Sequence, residues 1–312
     1  MELRIFTEPQ QGAAYTDLLA VAVAAEQAGF DGFFRSDHFL KMGDVSGLPG
    51  PTHCWATMAA LARDTKSIRL GTLVSPVTFY RPGPLAITVA QVDEMSGGRI
   101  ELGLGTGWYE AEHHAYGLRF PPLGERFDLF EEYLEQITGL WATPVGDTFS
   151  HDGRFHQFVD SPGLPKPTQK PGPPIIIGGK GKVRTPNLVA RFAAEFNLPF
   201  VAADQIQPAI DRVRATCEQI DRDPDSVVHS VALVLALGST NKEVERRAAA
   251  IGRDPKELKE NGMAGSADEL LSKLAALGEA GCDRIYLQVL DLSDLDHVAE
   301  AGQSLVAAAT EL

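Results

Sequence analysis

The sequence predicts an α/β fold, a (β/α)8 TIM barrel with an insertion between its fourth and fifth strands, with residues 1–312 as a single domain. Three observations carry this prediction. Apolar, β-rich runs alternate with amphipathic helical runs along the whole chain, the pattern of a parallel sheet covered by helices. Eight strand–helix units can be read in order, enough for the sheet to close on itself. The 312 residues, 44% hydrophobic and 22% charged, also suit one large barrel of ordinary globular composition. An open doubly wound sheet is the alternative, but it needs a Gly-rich phosphate turn after its first strand. This chain has Glu8-Pro9-Gln10 there.

The elements follow from periodicity. Residues 3–7 read as the first strand, after which Tyr15, Leu18, Leu19 and Ala22 share one helical face. Gly29 is placed to cap that helix before a second strand over residues 30–36. An Ala-rich helix over 52–65, a strand over 68–74, a helix with Leu85, Thr88, Val89 and Val92 on one face, and a strand over 100–105 come next. Phe127, Phe130, Leu134, Ile137 and Trp141 mark a long helix. Residues 143–173 then break the pattern, being rich in Pro and Gly, and are expected to form an irregular insertion with at most a short hairpin near 149–158. Ordered excursions of this length act either as lids and binding loops or as plain surface insertions. Alternation resumes with strands over 174–177, 198–201, 228–237 and 284–290. Helices are expected over 186–195, 242–252, 267–280 and 297–309, with another burying Ile210, Val213, Cys217 and Ile220.

Composition narrows the partners. A net charge of −14 argues against nucleic acid or an anionic membrane, both of which need a cationic face. No apolar run reaches the ~18 residues of a membrane span, and residues 1–6 read as a strand rather than as the start of a signal peptide. Cys54, Cys217 and Cys282 are odd in number and far apart, forming neither a disulfide framework nor a metal-ligand pattern, so a reducing cytoplasm and no bound metal are expected.

In a parallel barrel the active site lies at the C-terminal ends of the strands. That rule selects Arg35-Ser36-Asp37-His38 after strand two, Val74-Ser75-Pro76 after strand three and Gly105-Thr106-Gly107-Trp108 after strand four. It also selects Gly178-Gly179-Lys180-Gly181-Lys182 after strand five and Gln288 on strand eight. The strand-five loop points to an anion: its glycines let backbone N–H groups converge, and Lys180, Lys182 and Arg184 concentrate positive charge in an acidic chain. It is not a Walker A loop, since Val183 follows Lys182. Gly103-Leu104-Gly105-Thr106-Gly107 fails as a dinucleotide fingerprint because Trp108 stands where the third glycine belongs. Small residues at that strand end instead leave room for a planar ring against the backbone. His38, beside Asp37, is the candidate proton donor or acceptor, because imidazole titrates near neutrality. Glu110, Glu112, His113 and His114 form no HExxH and are read as a solvated helical face. No Gly-x-Ser-x-Gly elbow is present.

Five segments in series resemble the luciferase-like monooxygenase superfamily, and specifically its F420-dependent oxidoreductase branch. They are Phe33-Phe34-Arg35-Ser36-Asp37-His38; Ile68-Arg69-Leu70-Gly71-Thr72-Leu73-Val74-Ser75-Pro76 with Arg81-Pro82; Asp93-x-x-Ser96-Gly97-Gly98-Arg99 leading into Leu102-Gly103-Leu104-Gly105-Thr106-Gly107-Trp108; Pro173-Pro174-Ile175-Ile176-Ile177-Gly178-Gly179; and Asp283-Arg284-Ile285-Tyr286-Leu287-Gln288. The resemblance implies an oxidoreductase that passes a hydride between coenzyme F420 and a small organic substrate; an FMNH2-dependent monooxygenase on the same fold is the alternative. It implies a non-prolyl cis peptide between Leu73 and Val74, with Leu73, Val74 and Ser75 supporting the cofactor ring. It further implies that Asp37 and His38 lie near the ring. Thr106, Gly107, Gly178, Gly179 and Gly181 would contact the cofactor's side chain and phosphate, and Lys180, Lys182 and Arg184 would suit the phosphate and anionic tail of F420. Homodimers are common in such a family. One departure stands out: the sugar-phosphate dehydrogenases of this class carry a catalytic glutamate directly after the strand-four Gly-Thr-Gly, and this chain has Trp108. A cofactor-free binding barrel would be expected to lose the glycines at 105, 107, 178 and 179, and they are intact.

Overall fold

A computed structural model describes residues 1–312. Eight parallel strands close into a barrel: β1 (Glu2–Thr7), β2 (Gly32–Arg35), β3 (Arg69–Thr72), β4 (Ile100–Gly105), β5 (Ile175–Gly178), β6 (Glu195–Pro199), β7 (Val228–Leu237) and β8 (Arg284–Val289). Each pairs with its sequence neighbours, and β8 returns to β1 with Glu2 opposite Arg284 and Val289 opposite Thr7. The helices on the outside are α1 (Tyr15–Gln27), α2 (Cys54–Asp64), α3 (Pro82–Ser96), a short α4 (Glu110–Ala115), α5 (Leu123–Ala142), α6 (Arg184–Phe192), α7 (Ile206–Gln219), α8 (Asn241–Ala250), α9 (Pro255–Asn261), α10 (Ala267–Glu279) and α11 (Leu295–Ala301). The sequence prediction of a (β/α)8 barrel is met. None of the helices is long and apolar enough to cross a membrane.

Strand alternation sorts the side chains. On β1, Leu3 and Ile5 face outward into a core of 60 buried residues between sheet and helices. Phe6 faces the lumen, where it packs with Phe34, Leu73, Ile176, Ala232 and Tyr286. Phe34 fits because its neighbour on β3 is Gly71: a Cβ there would lie 2.1 Å from the ring.

Below that apolar layer the lumen is ionic. Arg4, 1% exposed, makes a bidentate pair with Glu101 at 2.6 and 3.0 Å. Arg69 also pairs with Glu101, Arg284 pairs with Glu195 and Glu2, and Ser230 Oγ donates to Glu195 at 2.6 Å. Burial works to raise the Glu101 carboxyl, but Arg4, Arg69 and Arg284 outweigh it and hold the group down to about 2.

Glu195 explains the main boundary error. A helix was expected through residue 195 and a strand only from 198; in the structure α6 ends at Phe192 and β6 opens at Glu195. A lone glutamate reads as a helix former, whereas here its partner Arg284, distant in sequence, draws it into the barrel. Ile220 was expected on the buried face of α7. It falls just past the helix end and is exposed, while Ile210, Val213 and Cys217 are buried. The insertion forms an antiparallel hairpin, Phe149–Asp152 with Gln157–Ser161. Its turn is pinned by Glu132 on α5, which accepts from the N–H groups of Phe155 (3.1 Å) and His156 (2.7 Å). Its aromatic residues rest on small positions of neighbouring helices, Phe149 over Gly139 and Phe158 over Gly83. The three cysteines are free and buried.

At the far end of β7, His297 Nε2 accepts the Leu237 N–H at 3.0 Å. Burial, and then the Arg247 charge, push this imidazole down to about 4. The folded protein therefore holds it neutral while the unfolded chain takes up a proton near pH 6.5. Stability from this site is complete above that pH and is lost as pH falls toward 4, by roughly 2–3 kcal/mol. Urea titrations at pH 7.5 and 4.5 should show His297→Gln losing less stability between the two pH values than wild type; parallel losses would discard the assignment.

Candidate active site

The strand ends enclose a cavity of about 420 Å³. Phe6, Ser36, His38, Leu73, Val74, Pro76, Gly105, Thr106, Gly107, Trp108, Gly178, Gly179 and Lys180 line it, joined by Glu8, Asn197, Pro199, Phe200 and Ala232. A second recess of about 450 Å³ lies between the start of α3 and the hairpin turn. It shares no residue with the barrel mouth, and only the mouth gathers side chains from many strands at one point.

The floor is apolar. Leu73 and Val74 are joined by a cis peptide, as the resemblance implies, and Val74 packs against the lumen cluster beneath. A Cβ on Gly105 would come within 2.9 Å of a Val74 methyl, and Gly107, at φ +78°, turns the chain in a conformation that favours glycine. The result is a flat, aliphatic bed with glycine edges in a cavity of ordinary size for a small-molecule or cofactor site.

His38 stands at one side. Its Nδ1 lies 2.8 Å from Glu112 Oε1, and the other oxygen of Glu112 accepts the Phe39 N–H at 3.0 Å. Glu112 is completely buried. A carboxylate on Nδ1 fixes the ring's orientation and favours the tautomer with its proton on Nδ1, leaving Nε2 as an acceptor. The indole of Trp108 meets the imidazole edge-on at 5.8 Å and stacks on Tyr109 at 5.3 Å. Trp108 is 64% exposed, a large apolar wall standing open at the mouth.

The structure brings most of the sequence-predicted residues to the cavity and leaves others out of it. Asp37 and Ser75 were expected on the cofactor; both are completely buried behind the wall, and neither lines the cavity. The Asp37 carboxylate accepts from Ser75 Oγ at 2.6 Å and from Tyr80 at 3.1 Å, which ties the ends of β2 and β3 together; burial, ahead of these bonds, raises its titration. Gln288 is buried too, and does not reach the mouth. In the strand-five loop, Gly178, Gly179 and Lys180 reach the cavity but Gly181, Lys182 and Arg184 do not. Arg184 turns away to Asp128 (2.7 Å), and the lack of a Cβ at Gly181 makes room for Thr185. The Gly179 N–H is used by Asn197, whereas those of Lys180, Gly181 and Lys182 have no acceptor in the protein and remain available to an anion. The insertion contributes nothing to the cavity.

Two acids were missed. Glu112 and its neighbour His113 were read as solvated, yet both are buried, and His113 hydrogen-bonds Thr78 at 2.7 Å; only Glu110 and His114 are exposed. No local signal marked them, since the residues around them, Glu110, Ala111 and His114 to Gly117, are exposed. Glu8 had been noted only as the wrong residue for a phosphate turn. It lines the cavity, and although its surface is partly open there, protein crowds it closely enough for burial to raise its carboxyl, outweighing the opposing pull of His38 and Gln10.

A closed parallel barrel with a flat aliphatic bed and an acid–imidazole pair at its mouth is a barrel with a single small-molecule site at its strand ends. The family description "luciferase-like monooxygenase" matches residues 1–287, and the chain belongs to that family. It is 30% identical over 220 residues to an F420-dependent glucose-6-phosphate dehydrogenase of Amycolatopsis mediterranei (strain U-32), a match covering 66% of this chain and 62% of that protein. The chain thus spans less than two thirds of that relative's length. A protein of the same description from Intrasporangium calvum is 30% identical over 258 residues, 73% of this chain and 72% of the relative. Among solved structures, an F420-dependent secondary alcohol dehydrogenase in complex with an F420-acetone adduct shares the fold at TM-score 0.82 and 19% identity, covering 98% of both chains. A monooxygenase from Streptomyces bottropensis does so at 0.83 and 20%, covering 99% of this chain and 98% of the other.

Proposed function

We propose that residues 1–312 act as one catalytic barrel domain, an F420-dependent oxidoreductase that passes a hydride between the deazaflavin and a small organic substrate. The observation that carries this reading is an aliphatic ring bed at Leu73 and Val74 in a cavity whose edge at Lys180 opens a loop with free N–H groups on Lys180, Gly181 and Lys182. The bed takes the ring and the loop takes the phosphate. When bound, the deazaflavin supplies the carbon that gives or accepts hydride; Thr106, Gly107, Gly178 and Gly179 line its course, and the His38–Glu112 pair fixes an acceptor nitrogen beside it. The names of the relatives support F420. Sugar phosphate is not the substrate of this reading, because Trp108 occupies the acid's position and Lys180 is the one Lys or Arg lining the cavity. The acidic chain and its free cysteines support a cytoplasmic protein working on small molecules rather than nucleic acid or membranes, and the family supports a homodimer.

A second reading, an FMNH2-dependent monooxygenase, draws on the monooxygenase fold neighbour, since an aliphatic bed accepts either ring. Titrating the apoprotein with F420 and with FMN separates them. F420 should bind at least about tenfold more tightly, a difference of about 1.4 kcal/mol. Preference for FMN, with substrate-dependent O2 consumption when a reductase supplies reduced flavin, would replace the proposal. Binding neither would leave a cofactor-free barrel.

A further inference from the structure

The His38 arrangement has a chemical consequence. Glu112 Oε1 lies 2.8 Å from His38 Nδ1, so that nitrogen is engaged with the buried wall rather than with the cavity. Reduction of a carbonyl needs a proton as well as a hydride. Lys180, at the other end of the cavity, directs its ammonium toward the Phe200 carbonyl at 3.2 Å. The remaining titratable group in the lining is Glu8, one residue beyond the end of β1.

The backbone at Glu8 is fixed by the turn that follows it. Pro9 is the first residue of that short 3-10 turn. The side chain of Gln10, itself 1% exposed, accepts from Ser36 Oγ at 2.6 Å through its oxygen, while its buried amide nitrogen, close to Glu8, makes no hydrogen bond within the protein. The groups facing Glu8 are therefore His38 from the loop after β2, Gln10 and Ser36 beside it, Glu112 behind the imidazole and Lys180 across the cavity.

We propose that Glu8 is the proton donor of this site, delivering its carboxylic proton to the oxygen of an uncharged carbonyl substrate as hydride reaches the substrate's carbon. The proposal rests on the F420 reading above, whose reduced deazaflavin is the hydride source. Arrival of the hydride at the carbonyl carbon moves the C=O pair onto oxygen, and that oxygen takes the Glu8 proton. In an enone, conjugation carries the pair to the same oxygen. Glu8, left as carboxylate, recovers a proton from water at the mouth. The substrate is uncharged because no Lys or Arg lines the His38 end, and the open face of Trp108 offers a plane for a flat molecule. The carboxyl that the family resemblance places after strand four is thus supplied here from strand one. Burial of Glu8 keeps it protonated to a higher pH than an ordinary glutamate, as a general acid requires.

Two measurements on the full chain test this. In protein labelled with 13C at glutamate carboxyls, the Glu8 signal, identified by its loss in Glu8→Gln, should titrate above the ordinary glutamate range of about 4.3; a midpoint at or below that range overturns the assignment. In enzyme loaded with reduced F420, wild type should reduce cyclohexanone or cyclohexenone. Glu8→Gln should do so about a hundredfold or more slowly at unchanged F420 affinity, while Glu8→Asp keeps part of the rate with a shifted limb in its pH profile. Equal rates in Glu8→Gln, or wild-type enzyme inert toward both carbonyl probes, overturns the proposal. Wild-type protein that fails to bind F420 sinks the cofactor reading instead, and the carboxyl titration still reports on Glu8 separately.

Discussion

Replacing Glu101 with leucine is expected to lower the unfolding free energy by about 3–5 kcal/mol, because it leaves buried cations without their counter-charge. Arg4 is almost wholly enclosed, and its two hydrogen bonds to Glu101 form a bidentate pair that also faces Arg69. Desolvation has already been incurred for these ions, so losing the carboxylate removes the compensation without removing the cost. Changing both partners, Arg4→Met with Glu101→Leu, should recover much of the loss, and urea denaturation of the two single variants and the double variant measures the coupling. Additive effects would show that the pair is not the source. The pH dependence follows with its sign. Glu101 sits near 2 when folded and near 4.3 when unfolded, so its contribution is complete above the unfolded value and disappears as pH falls through about 2.

The second large effect is expected at His38. His38→Ala should slow hydride transfer to a carbonyl probe by up to about 10²-fold, the cost of losing a side chain that positions the substrate beside the proton donor, while F420 affinity stays within a few-fold. Glu112→Gln makes the test sharper. The amide oxygen can still accept the Phe39 N–H, but it no longer favours one tautomer of His38, which lies 2.8 Å away. Its turnover should fall in the same direction with altered pH dependence and little change in KM. Rapid-mixing measurement of F420H2 oxidation gives both numbers, and an unchanged rate in His38→Ala removes the residue from the mechanism.

Much of this site was legible because barrel topology converts chain order into position. Once the alternation of strands and helices was counted, Ser36, His38, Val74, Thr106, Trp108, Gly178 and Lys180 had to share one mouth, and they do. Legibility failed where a residue's meaning depends on a partner far along the chain. Glu112 lies 74 positions from His38, and nothing in Glu110-Ala111-Glu112-His113-His114 shows which acid turns inward. Lys182 and Arg184 failed for the opposite reason: local charge density pointed to a ligand, but Arg184 found Asp128 on α5.

The sequence by itself determined the closed barrel, the end of it that carries the chemistry, and the glycine edges of the ring bed. Each of these follows from local periodicity and from the absence of side chains, which are properties of neighbouring residues. Only the tertiary structure decided which ionisable groups work in the cavity and which hold the wall. Asp37 is buried with Ser75 and Tyr80, whereas Glu8 and the Glu112-backed His38 are turned toward the opening. A carboxyl's role depends on how much water it keeps and on which charges face it. Both are settled by segments that meet only when the barrel closes.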